Sequence, residues 1–552
     1  MLGIEQAGFR ENHSTIDHLF SLYGLIDVLL SKRKRLYCAF LDYEKAFDKV
    51  DRILPWQKLL EHKIEGKILT VIQNMYATAK SCVMSNNEQS EFFTVHLGVR
   101  QGENLSPILF ALFLNDMKTF LGTDLAGLGT IIEESRDFNM DESDINNFLK
   151  LFLLLYADDT IIFSETPDGL QKGLTKIKEY CDKWKLKLNV GKCKIVIFSR
   201  GKVRSFPNFT IGEDVIEVVT SFLYLGLKLN YNNRMNVAHK DLYDRASRAM
   251  LALLKKCKTL NLPIDVILDL FEKTILPILT YGCELWGFEQ FEALNKHQRK
   301  FYKLVLKLRT STPTLMVFGE TGQFPISITI KTRMLCFWFK LISPSNNKLS
   351  STIYKLLLKI HNNSNNTHEN SYLKFIRSCL IEVGLPNLWN SQDVVGINFS
   401  WFKSHVNQRL KDLFIQDWYS HIDNDSIFTN YRLFKTSFKQ EDFLKFLPND
   451  CAITLVRFRT TNNCLPVNTL RYENIDRHDR LCTKCNTNDI GDEYHYLFIC
   501  PFFKKKRIEL LPKFYTKRPN TVKYNDLFNS ENKTLLLKLK HFICILNNAL
   551  RQ

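Results

Sequence analysis

Three acidic residues stand where buried-looking chain meets a turn. Asp42 ends the continuous apolar run Leu36 to Leu41. Asp158 and Asp159 lie between two more such runs, Leu151 to Tyr156 and Thr160 to Phe163, which read as a hairpin with the acids at its tip. Burying several carboxylates near one another is costly unless cations neutralise them. Hard divalent ions do this through carboxylate oxygens, and Mg2+ is the usual one where phosphates complete its shell. Two such ions about 3.5–4 Å apart can activate a hydroxyl nucleophile and stabilise the leaving oxygen of an in-line phosphoryl transfer. That chemistry requires the two strand ends to meet in space. Without the meeting, Asp158-Asp159 is a turn dipeptide and Asp42 a strand-end cap.

A second cluster is Cys482-x2-Cys485-x9-His495-x4-Cys500. Four soft or borderline ligands at this spacing make a closed tetrahedral site for one structural Zn2+. A redox Cys-x-x-Cys is the alternative, but it lacks a βαβ setting and leaves His495 and Cys500 unused. The basic run Lys504, Lys505, Lys506 and Arg507 follows at once and is placed to touch phosphate.

The elements that must position the acids are mixed, so the fold class is α+β. Apolar residues recur at helical spacing from Thr15 to Leu30, and residues 169–188 also look helical. Lys194 to Ser199 and Ser221 to Leu229 return to strand character. Beyond residue 230 the pattern is helical, with Ala246, Ala249, Met250, Leu253 and Leu254 on one stripe. Pro263 can open a further helix that should break at Pro277. The expected division is a unit at 1–230, helices at 231–345, an Asn/Ser-rich linker at 346–370, a helical region at 371–470, the Cys/His knuckle at 471–510 and a basic helical tail at 511–552.

The motifs resemble those of reverse transcriptases. Tyr156-Ala157-Asp158-Asp159 resembles the YxDD box, and Phe40 to Asp48 resembles the motif carrying the other metal-binding Asp. Leu97 to Pro107, Leu188 to Lys192 and Phe222 to Gly226 resemble the boxes expected around them, and Gln6 to Arg10 with His13 to Thr15 the one before. Six boxes in order are worded like those of LINE-like, non-LTR retrotransposons. The resemblance implies a right-hand polymerase: partial fingers and palm at 1–230, then a helical thumb. It implies that Asp42 and Asp158 hold two Mg2+ with Asp159 assisting. It places Phe47 under the incoming sugar as a gate against a 2′-hydroxyl, Gln101 and Gly102 against nucleotide and template, and Lys192 beside the pyrophosphate. The implied partners are an RNA template, a DNA primer or target and deoxynucleoside triphosphates. The Cys/His pattern resembles the knuckle near the C-terminus of LINE-like proteins.

Composition agrees with a polyanion partner. The 552 residues carry Lys+Arg 75 against Asp+Glu 58, a net charge of +17. No stretch of about 18 residues is free of charge, so no membrane span is expected. The expected setting is intracellular, nucleus and cytoplasm, with reduced cysteines. The family's domain normally begins earlier, so the chain reads as N-terminally truncated, with its fingers incomplete and apolar surface exposed between Met1 and Phe20. Two rival functions remain: a non-catalytic RNA-binding remnant of a retrotransposon protein, and an RNA-templated RNA polymerase, against which Phe47 argues.

Overall fold

The computed structural model describes residues 6–551 except 101, 123–127, 150, 289–290, 345, 347 and 364–369. Its centre is a six-stranded sheet with β1 (Leu36–Leu41), β2 (Leu153–Tyr156), β3 (Asp159–Ser164), β4 (Lys194–Phe198), β5 (Phe209–Ile211) and β6 (Asp214–Val219), in the order β2-β3-β1-β4-β6-β5. β1 runs antiparallel to both β3 and β4, so it is sandwiched within the sheet. All six of its residues are buried, which is why it reads as an unbroken apolar run rather than an alternating one. The alternation survives in where the side chains go. Leu36, Cys38 and Phe40 join the core shared with the Thr15–Ser31 helix and the later helices. Tyr37, Ala39 and Leu41 join the core under the Pro167–Lys183 helix.

The Thr15–Ser31 helix starts on a capping box. The Ser14 hydroxyl accepts from the Asp17 amide, and the Asp17 carboxylate accepts from the Ser14 amide at 2.9 Å. Asp17 also accepts from Ser350 Oγ at 3.1 Å and Lys348 Nζ at 3.1 Å. This ties the helix to the Leu349–Asn363 helix, which packs along it. The two backbones approach closely at Gly24, where a Cβ would lie 2.5 Å from Ile353 Cγ2.

Part of the segment expected as a linker, 346–370, is helical: Leu349–Asn363 is a helix whose Ile353, Tyr354, Leu356 and Leu357 are buried, while 347 and 364–369 lie outside the described residues. Its polar ends masked an amphipathic middle. Of the apolar surface expected to be exposed between Met1 and Phe20, Leu19 and Phe20 are covered, both 0% exposed, whereas Phe9 is 55% exposed and residues 1–5 lie outside the described range.

Downstream, the strand character of 221–229 resolves into a hairpin of β7 (Ser221–Tyr224) and β8 (Leu227–Asn230). Its two-residue turn puts Leu225 at φ +45° and Gly226 at φ +80°, the pair of positive values that a tight hairpin needs. Phe222 stacks on Phe40 at 4.5 Å and holds the hairpin to β1. The helix opened by Pro263 does not break at Pro277. It runs from Ile264 to Leu279 through one π-helical turn, Phe271–Ile275. The wider turn takes up the missing proline N–H without ending the helix. The C-terminal helix Lys533–Arg551 packs its buried Leu536, Leu539, Phe542 and Ile543 inward. Among the described residues no helix is long and apolar enough to cross a membrane.

Phe20 links early and late chain, meeting Phe337 at 5.3 Å and Tyr372 at 5.5 Å. Phe20→Ala should lower the unfolding free energy by about 3–5 kcal/mol in a denaturant titration; a change below about 1 kcal/mol would show that the two halves are not packed together.

Candidate active site

Antiparallel pairing of β1 with β3 brings the acids to one place. The register runs to Leu41 opposite Thr160, so Asp42 lies one residue on, facing Asp159. Neighbouring positions of this kind have Cα atoms about 4.5–5.5 Å apart. The two-residue period puts Asp42 on the Phe40 face and Asp159 on the Ile161 face, which is the same face of the sheet. Asp158 occupies the turn between β2 and β3, whose last pair is Tyr156 with Asp159. Asp42, Asp159 and Lys192 line one cavity of about 550 Å3 with Phe222 and Tyr224.

The carboxylates act on one another. Partial burial pushes the Asp159 carboxyl up to about 6, and the Asp158 and Asp42 charges add to the rise. Burial also raises Asp158, with a further contribution from Asp42. Lys192 Nζ stands 3.7 Å from Asp42 Oδ2. It is held there by backbone pairing: Asn189 N–H donates to Asp42 O at 2.8 Å, and Glu44 N–H donates to Lys187 O at 2.7 Å. The Asp42 amide faces Cys193 Sγ at 3.4 Å.

The turn carrying Asp158 is held from the N-terminal side. Ala157 has φ +57°, a conformation that an L residue adopts at a cost. Gln6 Oε1 accepts from Ala157 N–H at 3.3 Å and from Gly8 N–H at 2.9 Å, and Ala7 N–H donates to Leu155 O at 3.0 Å. Gly8 lies so close that a Cβ would be 2.2 Å from Ala157 N. Sequence reasoning placed Gln6 to Arg10 in a box but gave it no partner; a buried Gln followed by a Gly against an apolar strand was the available signal.

Phe47 is half-buried, stacked on Phe110 at 4.7 Å and edge-on to Phe9 at 6.5 Å. Phe47 O accepts from Val99 N–H and Val50 O from Gly98 N–H, each at 2.8 Å. Arg52 reinforces this join by donating to the carbonyls of Tyr76, Val95 and Gly98 at 2.7–2.8 Å. Gly102 follows with φ +84° and open space where a Cβ would point. Gln101 lies outside the described residues.

Cys482, Cys485, His495 and Cys500 do come together, with ligand atoms all within 4.8 Å of one another. They are the one such set among the described residues, so Asp42, Asp158 and Asp159 stand wider than that. His495 turns Nε2 towards Cys485 Sγ at 3.4 Å and Nδ1 towards Asp489 Oδ2 at 3.3 Å. A carboxylate behind the far ring nitrogen is the usual way a ligating imidazole is oriented. The basic run after the cluster is corrected in one position. Arg507 is buried and donates to the carbonyls of Leu497 and Cys500 at 2.6 and 2.9 Å, so it braces the knuckle rather than facing outward.

Residues 2–229 match the family described as "Reverse transcriptase (RNA-dependent DNA polymerase)". This stretch belongs to the reverse transcriptase family. The reverse transcriptase domain has relatives in LINE-like elements. The "RNA-directed DNA polymerase from mobile element jockey" of Drosophila melanogaster is 23% identical over 305 residues, covering 53% of this chain and 30% of the relative. The "Retrovirus-related Pol polyprotein from type-2 retrotransposable element R2DM" of the same species is 28% identical over 257 residues, covering 45% and 23%. The jockey match therefore spans less than a third of that protein. Among solved structures, telomerase from Candida tropicalis in complex with a TWJ fragment of telomeric RNA is 14% identical, covers 71% of this chain and 54% of that one, and has a TM-score of 0.30.

The Gln6–Gly8 brace yields a direct expectation. Gly8→Ala should displace the Ala157–Asp158 turn and remove most nucleotide incorporation in a primer-extension assay while thermal unfolding stays cooperative. Full incorporation by this variant would show that the brace does not set the turn.

Proposed function

We propose that the chain is an RNA-directed DNA polymerase of LINE-like, non-LTR type, adding deoxynucleotides to a primer 3′-hydroxyl against an RNA template. The observation that carries this reading is the β1–β3 register, which sets Asp42 beside Asp159 at the foot of a turn bearing Asp158. Together with the family match, it supports a palm built on the six-stranded sheet. The helices from Asn236 onward would serve as thumb, and the segment from Ile53 to Val99 would contribute to fingers.

The donor set fits Mg2+. Three carboxylates share one face and one turn; burial, and after it the neighbouring carboxylate charges, raises Asp158 and Asp159, which a divalent cation would offset. Asp42, Asp158 and Asp159 would hold two Mg2+, and these, when bound, supply activation of the primer hydroxyl and neutralisation of the leaving pyrophosphate. The chain's own residues do the rest. Lys192, long and exposed at the rim of the cavity, neutralises or protonates the pyrophosphate. Phe47, wedged by Phe110, presents an edge that excludes a 2′-hydroxyl from the incoming sugar. Gly102, with nothing above it, lets nucleotide and template approach the backbone. The four Cys/His ligands would hold one structural Zn2+, with Asp489 orienting His495.

A second reading, a non-catalytic RNA-binding protein, is favoured by the spread of the three carboxylates beyond 4.8 Å. Primer extension on poly(rA)/oligo(dT) separates the two. The polymerase reading expects template-dependent synthesis by the unaltered chain, reduced to background by Asp158→Asn, and greater use of ribonucleotides by Phe47→Ala. Synthesis that survives Asp158→Asn, or no synthesis by the unaltered chain, would overturn it.

A further inference from the structure

Far along the chain from the acids, two depressions meet beside the Cys/His knuckle. One, of about 140 Å3, is lined by Arg471, Arg477 and Arg480. The other is lined by Arg309, Asn462 and Tyr472, and the two share Thr461, Asn468 and Arg471. They join the loop after the Phe291–Val305 helix to the segment after the Asn449–Arg459 helix.

The arginines fall into two kinds. Arg477 donates to Asn430 Oδ1 at 3.2 Å and faces Asp492 Oδ2 at 3.3 Å, and Arg480 donates to the carbonyls of Ile475 and Val467 at 2.8 and 2.9 Å. These two are structural. Arg309 and Arg471 are exposed, and neither guanidinium has a hydrogen bond or ion pair among the described residues. Burial, with the neighbouring charges of Arg471 and Arg477, holds Arg480 below its ordinary range. Concentrating cations in this way is unfavourable until an anion joins them.

Two more observations point to a ligand. Asn462 is 3% exposed, yet neither its side-chain nitrogen nor its oxygen has a partner. A buried amide left unpaired is costly, and Asn462 lies at the wall of the second depression, where a hydrogen-bonding guest would relieve that cost. Tyr472 is 64% exposed, and its hydroxyl is fixed to Ser311 Oγ at 2.9 Å, so the ring is held with its surface free. The one carboxylate in the neighbourhood that lines the first depression, Glu493, is occupied by the amides of Asn430, Asn463 and Asn468.

We propose that Arg309, Arg471 and Asn462 form a phosphodiester subsite, with the Tyr472 ring as a platform for an adjoining base, so that a single-stranded nucleic acid is gripped here apart from the catalytic acids. Guanidinium pairs suit phosphate geometry, and an exposed ring stacks on any base. The proposal rests on nucleic acid being the substrate, but its test needs no catalysis. Fluorescence anisotropy of the full chain carrying Asp158→Asn is followed with labelled oligo(rU) and oligo(dT) across a salt series. Combined Arg309→Ala and Arg471→Ala should weaken binding at least about tenfold and lower the slope of log affinity against log salt by about 1.4, or about 0.7 for each phosphate that is no longer neutralised. Tyr472→Ala should weaken binding by about 5-fold or more, whereas Tyr472→Phe, which keeps the ring and removes only the Ser311 bond, should not. Weakening on both oligonucleotides identifies the shared phosphodiester, and weakening on oligo(rU) alone identifies an RNA strand. Unchanged affinity and slope on both, in variants with unaltered melting, would overturn the subsite. That result would leave the polymerase reading standing, because primer extension tests it separately.

Discussion

The rest of the structure depends on one electrostatic constraint: Asp158 and Asp159, raised first by burial, also feel the charge of Asp42 beside them. Nothing in a folding core favours that arrangement, since each added negative charge makes the others costlier. The sheet imposes it. β1 is held between β3 and β4 by ladders on both sides, so Asp42 cannot slide away from Asp159 without a register shift that would turn every buried side chain of β1 to the opposite face. The Ala157 turn is held in a left-handed conformation by Gln6 and Gly8, which fixes the turn that carries Asp158. A left-handed residue at the turn and two raised carboxylates beside a third are the marks of a site built for a ligand rather than for stability.

The later chain supplies the stability that such a site consumes. The Thr15–Ser31 helix backs the six-stranded sheet, and the Leu349–Asn363 helix covers it in turn, joined through Asp17 to Ser350 and Lys348. Farther on, Arg459 is fully buried among Glu320, Glu441 and Lys435, a charged knot that would be costly to open one member at a time. The Cys/His cluster is braced by Arg507 from within. Helices of the C-terminal half thus share one apolar core with the sheet instead of forming a separate appendage.

Much of this was legible in the sequence because the relevant signals are local. Leu36 to Leu41 is strand to the residue, since a strand buried on both faces must be an unbroken apolar run. The hairpin around Asp158 and Asp159 and the helix from Thr15 are likewise set by short-range pattern and a capping box. The four knuckle ligands converge as their spacing implied. What the sequence hid are interactions between distant segments. Neither the bond from Gln6 to Ala157 nor the pairing of 187–193 with 42–44 leaves a periodic trace. The Leu349–Asn363 helix looked like a linker because its flanks are rich in Asn and Ser. Arg507 looked like part of a phosphate-facing basic run because three lysines precede it, and Pro277 looked like a stop because a π-helical turn cannot be read from composition.

The central claim is that Asp42, Asp158 and Asp159 jointly hold divalent metal. The most direct measurement is the electron paramagnetic resonance titration of Mn2+, as a Mg2+ substitute, against the full chain and its Asp42→Asn and Asp159→Asn variants at several pH values. Asp159 has a raised carboxyl, at about 6 without metal. Its protonated form is therefore favoured by the fold, and the stability this contributes is lost as pH rises from the ordinary carboxylate range through about 6. Metal must displace that proton, so Mn2+ affinity should increase as pH rises from about 5 to about 7. Asp159→Asn should flatten that rise, and Asp42→Asn should abolish tight binding. Mn2+ bound equally tightly by the Asp42→Asn chain, with no dependence on pH, would contradict the account.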